Sequence, residues 1–445
     1  MLSYQRILRT WWPLAASWLL MSAEAPAISA FVARLPDPEI NLAAYGGIVF
    51  PLAMIIESPI IMLLSASAAL SKDWDSYRKI YRFMMIAGAA LTVLHVVIAF
   101  TPVYDLLARR LFGAPEAIIE PARLGLKIMV PWSWAIAYRR FHQGILIRFD
   151  HSNTVGIGTT IRLGSNLTVL VVGYLYGTLP GIALATLAVI AGVTAEAVYT
   201  GIVVRPVLRS QVRLAMPASE RLTLFSFFSF YLPLVLTSLI SLLVQPIGSA
   251  MLSRMPLAIE SLAAWSVVTG LTFMLRSLGI AFNEVVVTLL DQPGSSPPLK
   301  RFTWLLAGTT SLAMLVIAAT PLAGWWFGQV SGLKPLLSQM ATTSLWFFLV
   351  SPACSALQSW FQGVLLNSRS TRVITESVAI FLVVCVSMLA LGVAWGRYPG
   401  LYVGAAASTL AMLAQIGWQA LRSQAALLRF SQRDAHPAVG STLNA

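Results

Sequence analysis

The stretch "RLPDPEINLAAY" (34–45) returns 220 residues later as "RMPLAIESLAAW" (254–265). Arg34-Leu-Pro36 falls on Arg254-Met-Pro256, and Leu42-Ala-Ala-Tyr45 on Leu262-Ala-Ala-Trp265. Upstream, the same shift brings Pro13 onto Pro233 and Pro26 onto Pro246. Downstream, a shift of 219 brings Arg82-Phe83 onto Arg301-Phe302 and Thr101-Pro102 onto Thr320-Pro321. It also brings Gln143-Gly144 onto Gln362-Gly363 and Pro180-Gly181 onto Pro399-Gly400. A shift held across half a chain is the mark of an internal duplication.

The repeated material is apolar. Of the 445 residues, 58% are hydrophobic and 11% charged, and the mean hydropathy is +0.77. Soluble domains carry about 25% charged residues, so the composition is that of an integral membrane protein. Segments long enough to cross a bilayer, roughly 20 apolar residues each, fill nearly the whole chain. No stretch is polar and long enough to form a soluble domain. The two cysteines, Cys354 and Cys385, lie far apart inside apolar segments and read as buried free thiols. The start of the chain, "RILRTWWPLAASWLLMSAEAPAISA", has the look of a secretory signal. Its copy at 231–253 lies mid-chain, so 11–33 reads as a structural helix.

Hydropathy places helices near 11–33, 41–70, 80–103, 123–147, 154–177 and 180–204. The second set falls near 223–253, 260–291, 301–325, 338–366, 372–395 and 398–422. Six helices per half is an even number, so the two halves enter the membrane from one side and form parallel repeats. The expected organisation is a cytoplasmic N-terminus (1–10), an N-lobe (11–204), a cytoplasmic linker (205–222), a C-lobe (223–422) and a flexible cytoplasmic tail (423–445). Basic residues gather in the termini and even-numbered loops, among them Arg6, Arg9, Lys72, Arg78, Lys79, Arg148, Arg205, Arg209, Lys300 and Arg422. The positive-inside rule then puts both termini in the cytoplasm and the protein in the cell (inner) membrane. The net charge of +13 is mostly this asymmetry, so no nucleic-acid partner is called for.

Charged residues at membrane depth cost several kcal/mol, and they usually face a cavity or a partner. Here they are Glu24, Glu57, Arg139, Arg140, Arg162, Glu196, Arg276 and Glu284. At about 1.5 Å per residue, Arg139 and Arg162 lie roughly 12 Å from the cytoplasmic face. Glu196 lies at a similar level, with Glu24, Glu57 and Arg276 nearer the midplane. Within "WAIAYRRFHQGILIRF" (134–149), Arg139 shares a helix face with His142 and Gln143. Arg140 points about 100° away, toward head groups or helix 5.

Arg139, His142 and Arg162 are the expected lining of an anion-attracting cavity, because guanidinium offers paired donors to carboxylate and phosphate. The competing structural reading makes Arg139–Glu196 or Arg162–Glu196 a fixed ion pair and His142 a packing histidine. Position 57 aligns with 277, beside Arg276, so Glu57 and Arg276 are expected at equal depth, placed to pair across a cleft. Glu24 is a candidate protonatable coupling site, against a permanently neutral, hydrogen-bonded carboxyl. The Gln-Gly pairs read as architectural, since glycine lets helices approach closely. Pro26, Pro51, Pro59 and Pro131 are expected to bend their helices.

Two parallel six-helix halves fit two transporter superfamilies. The major facilitator type is set aside because the loop "SKDWDSYRK" (71–79) lacks its glycine-rich Asp-Arg pattern. "RRFHQGILIRFDHSNTVGIGTTIRL" (139–163) and "WFQGVLLNSRSTRVI" (360–374) resemble the helix 4–5 regions of the multidrug/oligosaccharidyl-lipid/polysaccharide flippase superfamily, which includes the MATE exporters. "WWPLAASW", "LAAYGGIVFPLAM" and "GILIRFDHSNTVG" resemble the progressive ankylosis proteins. That resemblance implies an all-α, twelve-helix, V-shaped, two-lobed exporter working by alternating access on organic anions and pyrophosphate-like species. It also implies ion coupling through an acidic residue of helix 1, the helix that holds Glu24.

The expected function is a secondary transporter exporting small organic or phosphate-type anions. Substrate contacts are expected from Arg139, His142, Arg162 and Arg276, and coupling to protons or sodium from Glu24, Glu57 and Glu196. The alternative is a flippase for lipid-linked sugars or a multidrug exporter on the same fold. No nucleotide loop, paired His/Cys metal spacing or Asp-rich transferase loop is present, so the sequence names no cofactor, metal or enzymatic chemistry. A non-transporting scaffold is the remaining class, and the membrane-depth charges argue against it.

Overall fold

The computed structural model describes residues 3–216, 221–368 and 370–435 and is all-helical over them, without a strand. The spans are α1 (Tyr4–Val32), α2 (Pro38–Leu70), α3 (Trp74–Phe100), α4 (116–148), α5 (Ser152–Tyr176) and α6 (Gly181–Val212). They continue as α7 (Leu224–Leu252), α8 (Ala258–Leu289), α9 (Ser296–Ala319), α10 (Pro335–Asn367), α11 (Arg372–Trp395) and α12 (Gly400–Asp434). Among the described residues eleven helices are long and apolar enough to cross a membrane. The remaining span, α4, is the most charged and is broken into Glu116–Ile128 and Trp132–Arg148. The break immediately precedes Trp132, with Pro131 at its N-cap, as the proline pattern predicts.

Several helices start earlier than hydropathy places them, because capping residues extend them past the apolar stretch. Asp73 accepts from the Ser76 backbone N–H at 2.8 Å and forms a capping box with it, which moves the start of α3 to Trp74. Thr223 and Ser226 form the same kind of box at the start of α7, which begins at Leu224, where hydropathy places it. At the other end of the chain, the expected flexible tail is helical up to Ala435. Ser423 is buried, and the Asp434 carboxylate accepts the Gly294 and Ser296 amides, both at 2.9 Å. Arg433 donates to the carbonyls of Leu290 and Gln292. These bonds tie the end of α12 to the α8–α9 turn. Residues 436–445 lie outside the described residues.

The chain divides into two compact units. One comprises Met1–Pro26, Val267–Val330 and Lys334–Ala445; the other comprises Ala27–Ser266 and Ser331–Leu333. The first part of α1 thus packs with second-half helices, and α7 with first-half helices. In the first unit, Trp11 sits edge-on to Phe302 at 5.7 Å and donates its indole N–H to Leu278 O at 3.0 Å. Ile7, Ala15, Phe282, Val285, Leu299 and Trp360 complete that core. In the second unit, Phe83 of α3 packs on Phe227 and Tyr231 of α7, and the Tyr231 hydroxyl donates to Pro59 O. Arg254, at the end of α7, donates to the carbonyls of Arg110 (3.0 Å), Leu111 (2.9 Å) and Phe112 (3.3 Å).

The Gln-Gly pairs are architectural in both halves. A Cβ on Gly144 would collide with Ser67 and the Leu64 carbonyl of α2, and one on Gly363 with Val286 of α8. Each glycine lets α2 meet α4, or α8 meet α10, nearly backbone to backbone.

The repeat shift falls from 220 to 219 between Tyr45 and Arg82, and a π-helical turn at Tyr45–Val49 lies in that interval. A π-turn absorbs one extra residue in an otherwise α-helical run. The corresponding stretch of α8 is uninterrupted α-helix. Beyond the turn the two halves match at 219: Arg148 donates to Ala68 O (2.8 Å), and its counterpart Asn367 donates to Val287 O (3.4 Å). Glu57 therefore corresponds to Arg276 itself, which corrects the alignment to 277.

Candidate functional site

Two polar constellations stand out, one in each unit. The first joins α2, α4, α5 and α6. Arg139 Nη1 lies 2.7 Å from Glu196 Oε2, and Gln143 Nε2 donates to Glu196 Oε1 at 2.9 Å. Arg139 and Gln143 are one turn apart on α4, so a single carboxylate bridges both. Glu196 is fully buried, and Arg139 and Gln143 nearly so. Gly158 of α5 packs against the Glu196 side chain, and Gly192 of α6 against the Arg162 backbone. Both carboxylate oxygens of Glu196 are thus satisfied inside protein.

Glu57 is 3% exposed, and its Oε2 has no hydrogen-bond partner. Arg140, Arg139 and Arg162 all lie within electrostatic range of it. The Trp132 indole is beside it but short of hydrogen-bond geometry. Arg140, set aside by the helical-wheel reading, thus belongs to the cluster through Glu57. His142 turns elsewhere: its ring lies tilted against Tyr138 (4.2 Å) and edge-on to Tyr81 (6.1 Å), and Nδ1–H donates to Tyr138 O at 2.9 Å. Of the expected site residues, Glu57, Arg139, Arg162 and Glu196 come together, while His142 packs among aromatic rings. Glu24 is half-buried in the first turn after the α1 break at Ala23.

The second constellation is a cavity of about 350 Å³ within the other unit, between α8 and α10. Its wall on α8 is Arg276, Ile280, Asn283 and Glu284, and its wall on α10 is Ser355, Gln358, Ser359 and Gln362, with Trp18 of α1 completing it. These positions follow the i, i+3/i+4, i+7 stripe of facing helices. Arg276 Nε donates to Ser355 Oγ at 3.0 Å. Among the described residues no carboxylate lies within ion-pair distance of Arg276. The repeat register explains the lining: Gln358 and Gln362 are the counterparts of Arg139 and Gln143, and Arg276 is that of Glu57. Gln362 was legible in that shift as the partner of Gln143; Asn283 and Gln358 carry no charge and gave no signal of their own.

No group of three or more His, Cys, Asp or Glu residues able to hold a metal ion occurs among the described residues.

No protein-family model and no curated protein matches the chain. Solved structures do match in fold. An inward-facing multidrug-resistance MATE transporter of the MOP superfamily aligns at TM-score 0.63 and 15% identity, over 92% of this chain and 95% of that one. The lipid II flippase MurJ in an inward closed conformation aligns at 0.69 and 12%, over 97% and 93%. A MOP-superfamily transporter from Pyrococcus furiosus, described as having a binding pocket of reversed polarity, aligns at 0.56 and 18%, over 94% and 96%. The architecture is the all-α MATE-type fold.

Proposed function

We propose that this chain is a secondary transporter of the multidrug/oligosaccharidyl-lipid/polysaccharide type, with sequence affinity to its ankylosis-like branch. It exports small solutes bearing a carboxylate or phosphate, by alternating access, from the cell (inner) membrane with both termini cytoplasmic. The observation that carries this reading is Arg276: a guanidinium on a cavity wall that, among the described residues, donates to Ser355 and has no carboxylate in ion-pair range, with amides and hydroxyls along the lining. A guanidinium without a carboxylate partner is suited to a ligand's anionic group. Arg139, by contrast, is neutralised by Glu196 and serves the scaffold.

Glu57 is the preferred coupling residue. It is buried, lacks a hydrogen bond at Oε2 and faces a surplus of arginines, so its charge state bears directly on the α2–α4–α5 packing. A proton or sodium gradient would act there; Glu196 is already committed, and Glu24 is the second candidate. The fold shared with a lipid II flippase supports a second reading, in which the anionic group belongs to a lipid-linked sugar.

The test is efflux from proteoliposomes loaded with labelled citrate, phosphate or triglycine, against a cationic dye. Efflux of any of these carboxylate- or phosphate-bearing solutes above protein-free vesicles supports the proposal. Dye efflux alone would contradict it, and movement of only a lipid-linked phosphate across the bilayer would favour the second reading.

A further inference from the structure

The cavity of the first unit carries one positive and one negative side chain, Arg276 and Glu284, and every other polar group lining it is uncharged. From this we infer that its ligand is a net-neutral zwitterion, with a carboxylate or phosphate at Arg276 and an ammonium at Glu284. The inference rests on the reading of Arg276 as an anion anchor and narrows its substrate class.

Charge count decides between ligand types. A polyanion such as citrate or a nucleotide needs several cationic groups, and the cavity offers one guanidinium. Its remaining carboxylates would find no second cation in the lining, and Glu284 adds like charge that disfavours them. A purely cationic ligand would meet the opposite penalty at Arg276. A zwitterion satisfies both ends.

The spacing sets its length. Arg276 and Glu284 are eight residues apart on α8, about 12 Å along the axis. An extended tripeptide spans roughly 10 Å, within the reach of the two side chains. The same lining carries the amides of Asn283, Gln358 and Gln362. Side-chain amides offer both donors and acceptors, which is what the peptide groups in the middle of such a ligand require. Trp18 supplies a rigid apolar face with one N–H donor. The chemical class is a short peptide-like zwitterion.

The experiment uses the full chain in nanodiscs and measures binding by calorimetry. The probes are triglycine, N-acetyl-triglycine, triglycine amide and citrate. Triglycine is expected to bind, and each capped form to lose at least about tenfold in affinity with one charge-assisted contact gone. Glu284→Gln is expected to erase the penalty of the acetyl cap while leaving that of the amide cap. Arg276→Gln is expected to do the reverse. Glu284 is exposed, so its variant reads binding rather than folding, and thermal unfolding of Arg276→Gln checks the other.

Citrate binding tighter than triglycine and lost in Arg276→Gln would overturn the zwitterion assignment while sustaining the anion anchor. Equal binding of triglycine and its amide would overturn the anchor as well. Binding of no probe would overturn the cavity as a ligand site of this class.

Discussion

Arg139 reaches from α4 to α6 and places Nη1 2.7 Å from Glu196 Oε2, with neither side chain more than 7% exposed. The contact is a closed one, since Gln143 takes the other carboxylate oxygen. Breaking it from one side leaves an uncompensated buried charge. Arg139→Met or Glu196→Gln alone is expected to lower unfolding stability by about 3–5 kcal/mol. The double replacement Arg139→Met/Glu196→Leu should recover most of that loss. Thermal unfolding in detergent measures all three; single variants as stable as the parent would remove the pair from the scaffold.

Gly144 and Gly156 are both helical, but only Gly144 is pressed against a neighbour. A Cβ at Gly144 meets α2, while one at Gly156 meets nothing within 4 Å. Gly144→Ala should therefore destabilise by about 1–3 kcal/mol through overpacking. Gly156→Ala should be neutral or stabilise by about 0.5–1 kcal/mol, because glycine is a poor helix former. Gly363→Ala should behave like Gly144→Ala, since the second half makes the same approach. Folded yield and unfolding temperature of the three variants check the order.

Glu57→Gln loses no hydrogen bond at Oε2 but takes a counter-charge from Arg140, Arg139 and Arg162, so a loss of unfolding stability is expected and thermal unfolding is measured beside transport. If the carboxylate couples transport to an ion gradient, the variant keeps substrate exchange between equal pools and loses gradient-driven accumulation. Retention of both in reconstituted vesicles would move coupling to another carboxylate, with Glu24 next to be changed.

Arg254 satisfies three carbonyls at the end of a π-turn, those of Arg110, Leu111 and Phe112, and presses on Gly113, whose φ is +60°. Arg254→Met should cost about 0.5–1.5 kcal/mol, the net worth of a hydrogen bond, since the bonds to Arg110 and Leu111 are exposed and only that to Phe112 is part-buried. Hydrogen exchange should rise locally over 107–114. An unchanged exchange pattern would mean that water replaces the guanidinium without cost.

The fold was largely legible in the sequence, because a duplicated hydropathy pattern and the shift of its prolines and glycines fix helix number and order. The start of α3 was not, since Asp73 extends that helix beyond the apolar run. The helical end of the chain was missed because 423–435 is polar; its order comes from Asp434 and Arg433 bonding the α8–α9 turn. The charged cluster of α2, α4, α5 and α6 was visible as intramembrane charge, with Arg139–Glu196 one of two pairings left open, and the structure has that pair at 2.7 Å. Helical phase alone put His142 beside Arg139, whereas the ring found Tyr138 and Tyr81. Asn283 and Gln358 stayed hidden because uncharged amides raise no alarm in an apolar chain, and Gln362 was visible only as half of an architectural Gln-Gly pair. The one-residue slip that makes Glu57 the counterpart of Arg276 is absorbed by the π-turn at Tyr45–Val49, a backbone feature with no residue signature of its own.

The most direct measurement compares anion efflux from proteoliposomes holding Arg276→Gln with efflux from those holding Arg139→Met/Glu196→Leu. The account predicts at least about a tenfold loss for Arg276→Gln, the scale of one charge-assisted contact, and little change for the buried-pair variant. Anion efflux that survives Arg276→Gln but fails in the buried-pair variant would contradict it and return the substrate cradle to Arg139.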